Sequence, residues 1–209
     1  MRIIKKNKKN LKEIVSALLN GAVLVCPTDT VYGFLADATN KKSVDKIYKI
    51  KKRPKTKPLP VFVADLKMAK DLAEINDKQN KMLKTRWPGK YTFVLNRTTQ
   101  RVPRSKLYGV DNKTIALRIP KYKFLNDLLN KINKPLVQTS VNISGKPTLN
   151  RVEDIVKTFE NSKIKPDFII DGNLSRRQSR RGSSVSPGNK SKPSVIIDLT
   201  QENIKILRK

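Results

Sequence analysis

The sequence contains no histidine and only one cysteine, Cys26. Without histidine the chain cannot form a Ser-His or Cys-His nucleophilic pair, and it lacks the usual general base at neutral pH. A single cysteine excludes an internal disulfide and leaves too few ligands for a structural zinc site. Catalysis would therefore depend on lysine, arginine, hydroxyls, carboxylates, backbone amides or a bound cation. Those groups suit phosphoryl or nucleotidyl transfer.

Acidic residues are also scarce, with 17 Asp and Glu against 46 Lys and Arg, so the formal charge is +29. Either a nucleic-acid partner or a lysine-biased composition explains this charge. The lysines lie along the whole chain, which favours the bias, although non-specific, salt-sensitive RNA binding is still expected. No apolar run approaches the ~20 residues of a membrane span, and the N-terminus lacks the apolar stretch of a secretion signal. We therefore expect a cytoplasmic protein without a membrane partner.

Helical and strand patterns alternate along the chain. Helices are predicted at 11–20, 43–52, 122–132 and 151–160, with two short ones within 65–86. Strands are predicted at 22–26, 59–64, 91–95, 114–119, 135–139, 167–171 and 194–199. This alternation predicts one α/β domain over residues 1–209, with a twisted, mostly mixed β-sheet flanked by helices.

Residues 174–192 break this pattern, because they contain six serines, four arginines and no acid. That composition predicts a disordered, basic loop between two strands. Two interpretations stay open for it, a solvated insertion and an element that binds phosphate.

Hydroxyl side chains gather where the first apolar run ends. The stretch "PTDTVYGF", residues 27–34, directly follows the strand predicted at 22–26. Loops at strand ends are where open α/β sheets place their ligands. The alternative is a turn in which Thr28 and Asp29 cap their own backbone. The stretch alone does not decide between the two.

Two later strands also run into polar residues. In "TIALRIP", residues 114–120, strand alternation places Thr114, Ala116 and Arg118 on one face. A buried arginine there requires an anionic partner, either a carboxylate or a ligand. In "PLVQTSVNISGKP", residues 135–147, small hydroxyl residues and a glycine would let backbone amides approach an anion closely.

A basic corner lies between a predicted helix and a strand, in "KIKKRPKTKPL", residues 49–59. Pro54 and Pro58 stiffen the backbone there. A stiff corner can hold Lys51, Arg53 and Lys57 for an anionic ligand at a lower entropic cost. The sequence has no Walker loop, dinucleotide fingerprint or metal-ligand motif.

Six motifs together carry a resemblance to a known family. "PTDTVYG", "KKRPKTKPL", "WPGKYTFVL", "TIALRIP", "TSVNISGKP" and "KPSVIID" follow in this order. Single motifs are weak, but the ordered set resembles the YrdC/Sua5 family of threonylcarbamoyl-AMP synthases, from about Leu11 to the C-terminus. Because the sequence ends before the extra C-terminal domain of Sua5-type members would begin, we expect the short, YrdC/TsaC-like form.

The resemblance implies a twisted α/β sheet around a deep, positively charged cavity. It also implies the reaction, in which L-threonine, bicarbonate (or CO2) and ATP give L-threonylcarbamoyladenylate and pyrophosphate. Mg²⁺ would accompany ATP as the cofactor, without direct protein ligands to the metal. The product would pass to the transferase proteins that complete the t6A37 modification of tRNA.

Motif positions imply the roles of individual residues. The Lys-x-Arg pair, Lys51 and Arg53, would be catalytic. Threonine would be bound by Thr30, Arg118, Ser140 and Ser194. ATP would be bound by Arg53, Lys57, Thr114, Asn142, Asn150 and Arg208.

Several positions depart from the family pattern. Phe62 stands where some relatives carry histidine, "SVN" replaces the usual "SAN", and Val195 and Asn150 occupy positions where threonine is common. These changes concern the threonine pocket rather than the reaction class.

Two other functions are compatible with such a fold. One is a non-catalytic protein that binds tRNA or double-stranded RNA, which the charge favours. The other is the related domain of hydrogenase-maturation carbamoyltransferases, which is normally fused to cysteine-rich zinc modules that one cysteine cannot supply. The Lys-x-Arg and Ser-x-Asn pairs favour catalysis, because plain RNA binding would not require them.

Overall fold

The structure is a computed structural model that describes residues 1–7, 9–98, 106–172 and 192–209. Within these ranges the chain forms six helices: α1 (Leu11–Leu19), α2 (Lys41–Lys51), α3 (Leu66–Leu72), α4 (Asp77–Arg86), α5 (Lys123–Ile132) and α6 (Val152–Phe159). The same ranges contain ten strands: β1 (Arg2–Lys5), β2 (Leu24–Cys26), β3 (Gly33–Asp37), β4 (Val61–Phe62), β5 (Tyr91–Asn96), β6 (Thr114–Arg118), β7 (Leu136–Ser140), β8 (Phe168–Asp171), β9 (Val195–Asp198) and β10 (Lys205–Arg208).

All the predicted helices and strands are present, with boundaries that differ by at most two residues. The sequence pattern does not predict β1, β3 or β10. The basic loop predicted at 174–192 lies, except for Lys192, outside the described residues.

The ten strands form one mixed sheet in the order β1-β8-β2-β3-β7-β4-β6-β5-β9-β10. Four neighbouring pairs are parallel and five are antiparallel. The predicted α/β fold with a mixed sheet is therefore confirmed. The register pairs Gly33 with Ser140 and Phe62 with Arg118, so the start of β3 lies beside the end of β7, and β4 beside the end of β6.

Apolar residues pack on both faces of the sheet. In β3, Phe34 and Ala36 belong to one core cluster and Leu35 to another, because successive side chains of a strand point to opposite faces. All five residues of β3 are buried. A strand covered on both faces lacks the alternation of polar and apolar residues that marks a half-exposed strand. For that reason "GFLAD" is not recognisable as a strand from its pattern.

None of the helices within the described ranges has the length and apolar composition needed to cross a bilayer.

Candidate active site

A cavity of about 410 Å³ lies where β6 and β7 end and where the chain turns after β2. That volume is typical of small-molecule sites. Seven of the predicted site residues line it: Thr30, Arg53, Thr114, Arg118, Ser140, Ser194 and Arg208. The other four, Lys51, Lys57, Asn142 and Asn150, are not part of the lining.

The stretch that follows β2 is a tight turn held by hydroxyl groups. Thr28 Oγ1 donates to the carbonyl oxygen of Val31 at 2.7 Å and accepts the backbone N–H of Thr30 at 3.0 Å. Thr28 therefore caps its own backbone, as the turn interpretation predicts, whereas Asp29 does not. Thr30 is buried and lines the cavity. The stretch is thus both a turn and a wall of the cavity.

Arg118 is 1% exposed, and within the described residues three groups accept its hydrogen bonds. Nη2 donates to Asp29 Oδ1 at 2.5 Å, Nε to the carbonyl oxygen of Gly89 at 2.9 Å, and Nη1 to Thr30 Oγ1 at 3.2 Å. The carboxylate alternative for its partner is therefore correct, and its place on the cavity wall leaves room for a ligand as well. Burial lowers the pKa of Arg118, and the negative charge of Asp29 opposes that shift.

Phe62, at the position where some relatives carry histidine, is fully buried. The centroid of its ring lies 5.5 Å from Cζ of Arg118, within the range of a cation–π contact. Phe62 therefore supports the guanidinium through its ring and offers no hydrogen bond of its own.

Lys51, the last residue of α2, is buried against the end of β7. Its Nζ lies 2.6 Å from Asn142 Oδ1, and it also donates to the carbonyl oxygens of Ser140 and Asn142 at 2.5 and 3.2 Å. Ser140 Oγ donates to the same Asn142 Oδ1 at 2.9 Å. Burial, together with the positive charge of Arg53, lowers the pKa of Lys51 to about 7. Lys51 thus holds Ser140 in place on the cavity lining, although Lys51 is not itself a lining residue.

The basic corner after α2 is held by backbone carbonyls. Lys52 ends the helix in the left-handed conformation, with φ 50°. Arg53 Nε then donates to the carbonyl oxygen of Lys57, and Nη2 to that of Pro58, both at 3.1 Å. These bonds keep Arg53 at the cavity, while the side chain of Lys57 is exposed and does not line it.

The unpredicted strand β10 brings Arg208 to the cavity. Arg208 Nε donates to the carbonyl oxygen of Ser194 at 2.9 Å, and Nη2 to Ser194 Oγ at 3.1 Å. Ser194 Oγ also lies 2.9 Å from Thr92 Oγ1. The pairing of β9 with β10 therefore joins two predicted site residues that are 14 positions apart.

Asp111 is a lining residue that the sequence analysis misses. Its Oδ1 accepts the backbone N–H groups of Lys113 and Thr114 at 2.8 and 2.9 Å, and these bonds lower the pKa of the carboxyl group. Thr114 Oγ1 donates to the same oxygen at 3.3 Å. Asp111 sits in a loop without a recognisable motif, so no local signal marks it.

Asn150 is not part of the cavity lining. Its Oδ1 is buried and has no hydrogen-bond partner in the part of the chain that the structure describes. Its predicted contact with ATP stays a prediction.

The lining is basic within the described ranges, with three arginines against one aspartate: Arg53, Arg118, Arg208 and Asp111. The described residues contain no cluster of three or more His, Cys, Asp or Glu that could hold a metal ion. Three fixed guanidinium groups around a small cavity are suited to binding carboxylate and phosphate groups.

Fold and site together define a class, the α/β proteins in which the ends of a mixed sheet enclose a basic small-molecule cavity. Within that class, the family model for the Sua5/YciO/YrdC domain, described as "Telomere recombination", matches residues 16–209. The chain belongs to this family.

Individual relatives agree with the family match. A Methanocaldococcus jannaschii protein, provisionally named a threonylcarbamoyl-AMP synthase, is 32% identical over 203 residues, covering 97% of this chain and 86% of its own length. A threonylcarbamoyl-AMP synthase of Vibrio vulnificus is 31% identical over 149 residues, covering 70% of this chain and 78% of its own.

Among solved structures, Pyrococcus abyssi Sua5 complexed with L-threonine superposes with a TM-score of 0.81 at 29% identity. The match covers 100% of this chain but only 57% of that one, so the chain spans little more than half of the Pyrococcus abyssi protein. These comparisons do not favour the non-catalytic RNA-binding alternative.

Proposed function

We propose that this chain is a threonylcarbamoyl-AMP synthase and thus a nucleotidyltransferase. It would convert L-threonine, bicarbonate or CO2, and ATP into L-threonylcarbamoyladenylate and pyrophosphate. The observation that carries the proposal is the joining of Thr30, Arg118, Ser140, Arg53 and Arg208 around one cavity. The names of the relatives, and the threonine complex of Pyrococcus abyssi Sua5, support the same reaction.

Threonine would occupy the end of the cavity that Arg118 and Thr30 line. The guanidinium binds the substrate carboxylate, because planar donors match a carboxylate with two parallel hydrogen bonds. The hydroxyls of Thr30 and Ser140 provide hydrogen bonds for the substrate hydroxyl. Ser194, whose Oγ accepts a hydrogen bond from Arg208, also lines the cavity.

ATP would bind to Arg53 and Arg208, which both line the cavity; Arg208 lies close enough to Arg118 for that positive charge to add to the lowering of the Arg208 pKa by burial. The positive charges of Arg53 and Arg208 stabilise the triphosphate and the departing pyrophosphate. Thr114, on the lining, would add a nucleotide contact, whereas contacts of ATP with Lys57, Asn142 and Asn150, which do not line the cavity, stay predictions from motif position. Mg²⁺ enters with ATP as part of the substrate, held by phosphate oxygens and water, and needs no direct ligand from this chain.

The chemistry proceeds in two steps. The unprotonated amine of threonine attacks CO2 and forms a carbamate. A carbamate oxygen then attacks the α-phosphorus of ATP, and the bond from that phosphorus to the β-phosphate oxygen breaks, which releases pyrophosphate. Lys51 contributes by holding Ser140 and Asn142, and it lies close enough to Arg53 for that positive charge to add to the lowering of the Lys51 pKa by burial.

The product would be consumed in the cytoplasm by the transferase proteins that make t6A in tRNA. The charge of +29 is also compatible with binding of tRNA or other RNA by the basic surface.

Pyrophosphate release by the purified chain with MgATP tests the proposal, together with mass spectrometry of the adenylate. Release should depend on both threonine and bicarbonate, and ¹³C from labelled bicarbonate should appear in the adenylate. Release that is independent of threonine, or the absence of a threonylcarbamoyl adduct, would contradict it.

A further inference from the structure

Asp29 is a buried carboxylate to which the proposed reaction assigns no role. It is 7% exposed and belongs to the turn after β2, but it does not line the cavity. Its Oδ1 accepts Arg118 Nη2, and its Oδ2 accepts the backbone N–H of Lys121 at 3.0 Å. One side chain therefore ties the exit of β2 to the exit of β6.

A donor count shows what these bonds leave available. A guanidinium carries five N–H donors, and Asp29, Gly89 and Thr30 take one each. In the described part of the chain, two N–H groups of Arg118 remain without an acceptor, one on Nη1 and one on Nη2. A carboxylate ligand has two oxygens and can accept both.

The remaining contacts of Arg118 restrict its orientation. The ring of Phe62 lies beside its guanidinium. Among the charged groups of the described residues, Asp29 forms the only ion pair of Arg118. Without that carboxylate, the guanidinium would keep two neutral acceptors, which fix its direction less strongly.

We propose that Asp29 is a positioning residue that sets Arg118 in place for a substrate carboxylate. This inference rests on the proposed function, in which Arg118 binds threonine. Asp29 reduces the net positive charge of the site. It also fixes the guanidinium group of Arg118 before the ligand binds, so less conformational entropy is lost on binding. A residue with this role affects threonine binding and leaves ATP binding unchanged.

The test is Asp29→Asn in the full chain, which keeps the shape of the side chain and removes its charge. We expect the KM for threonine to rise about tenfold or more, as for the loss of a hydrogen bond between charged groups, while the KM for ATP changes by less than about twofold. Titration calorimetry with L-threonine should show the same weakening. Unchanged or tighter threonine binding would overturn the inference, since tighter binding would mean that Asp29 only neutralises Arg118.

Asp37→Asn is the matched control. Asp37 is also buried, pairs with Lys134 at 2.8 Å, and accepts two hydrogen bonds from Thr39, but it does not line the cavity. This variant should lower stability and leave the KM for threonine within about twofold of the wild type. A rise as large as that of Asp29→Asn would show that losing any buried carboxylate has this effect, and would overturn the assignment.

A measurement on the wild-type chain decides the matter if Asp29→Asn does not fold. In ¹⁵N NMR spectra without threonine, the Nη groups of Arg118, assigned through their loss in Arg118→Lys, should give separate signals from hindered rotation. Averaged signals that separate only after threonine is added would contradict positioning in advance. Absence of threonine-dependent turnover in the wild type would overturn the proposed function itself, whereas normal turnover with unchanged kinetics in Asp29→Asn would overturn this inference alone.

Discussion

Lys51 and Asn142 are joined by a hydrogen bond of 2.6 Å between Nζ and Oδ1, and neither residue lines the cavity. The two residues belong to the motifs that carry the family resemblance, yet in the structure they contact each other. Their bond holds the end of β7 and, through Asn142 Oδ1, the hydroxyl of Ser140. Both motifs therefore shape the cavity wall as well as supplying groups to the site.

The burial of Lys51 makes stability depend on pH. Its pKa is about 7 in the folded chain, against an ordinary value of 10.5, so the unfolded chain binds more protons between these values. Stability therefore rises as the pH increases from about 7 to 10.5, by up to about 1.4 kcal/mol per pH unit from this group. Urea unfolding at several pH values should show a smaller rise in Lys51→Met than in the wild type.

The control for this comparison is Lys49→Met, which removes an exposed lysine from the same helix. It accounts for the loss of one positive charge in a strongly basic chain. Equal pH slopes in the wild type and Lys51→Met would show that Lys51 is not the source of the dependence.

Arg53→Ala should abolish most turnover with little loss of stability. The side chain is only half-buried and its hydrogen bonds go to two loop carbonyls, so truncation should cost about 1 kcal/mol of stability. Loss of one group that stabilises transition-state charge typically lowers kcat by about 10²–10³. Lys55→Ala, which removes an exposed lysine paired with Asp45, is the control and should retain activity. Pyrophosphate release near the wild-type rate in Arg53→Ala would remove this corner from the triphosphate site.

Much of the site is predictable because its residues follow local patterns. Thr30, Arg118 and Ser140 each lie at or just beyond the end of an apolar strand, and strand alternation correctly places Thr114, Ala116 and Arg118 toward the same cavity. Such patterns depend only on neighbouring residues.

The features of the site that the sequence does not predict depend on contacts between segments that are far apart in the chain. Asp29 and Arg118 are 89 residues apart, and their pairing follows from the order of the strands, which the sequence pattern does not specify. All four residues of β10 are exposed, so no alternation marks that strand, and Arg208 is placed only by its pairing with β9.

Gly109→Ala should destabilise the loop that contains the lining residue Asp111. Gly109 has φ +73°, and an added Cβ would lie 2.7 Å from Val44 Cγ1. Backbone strain and overpacking together should cost about 2 kcal/mol or more. Gly145 has a similar φ of +82° with no atom within 4 Å of the added Cβ, so Gly145→Ala should cost only about 1 kcal/mol. Thermal unfolding of both variants measures the difference, and equal losses would show that the contact with Val44 is relieved without cost.

The amino-acid preference of the cavity should follow the order threonine, serine, valine. Thr30 Oγ1 accepts a hydrogen bond from Arg118, and Ser140 Oγ donates to Asn142, so both hydroxyls are fixed on the lining. A substrate hydroxyl can exchange hydrogen bonds with these groups. Valine keeps the shape of threonine but cannot donate to the acceptor capacity that these two oxygens retain, and a lost hydrogen-bond partner in a buried site costs about 1–3 kcal/mol. Serine keeps the hydroxyl and loses one methyl contact, worth about 1 kcal/mol.

The three amino acids, compared at equal concentration as activators of pyrophosphate release from ATP, test this order. The cost to valine of losing hydrogen bonds should exceed the cost to serine of losing a methyl contact, because valine has no hydroxyl to bond with Thr30 or Ser140. The ring of Phe62 contacts Arg118 and makes that side of the pocket apolar, which reduces the discrimination against valine without reversing it. Thr30→Val should raise activity with valine relative to threonine. If valine activates the wild type as well as threonine does, the side-chain hydroxyl is not recognised, and Thr30 and Ser140 do not bind it.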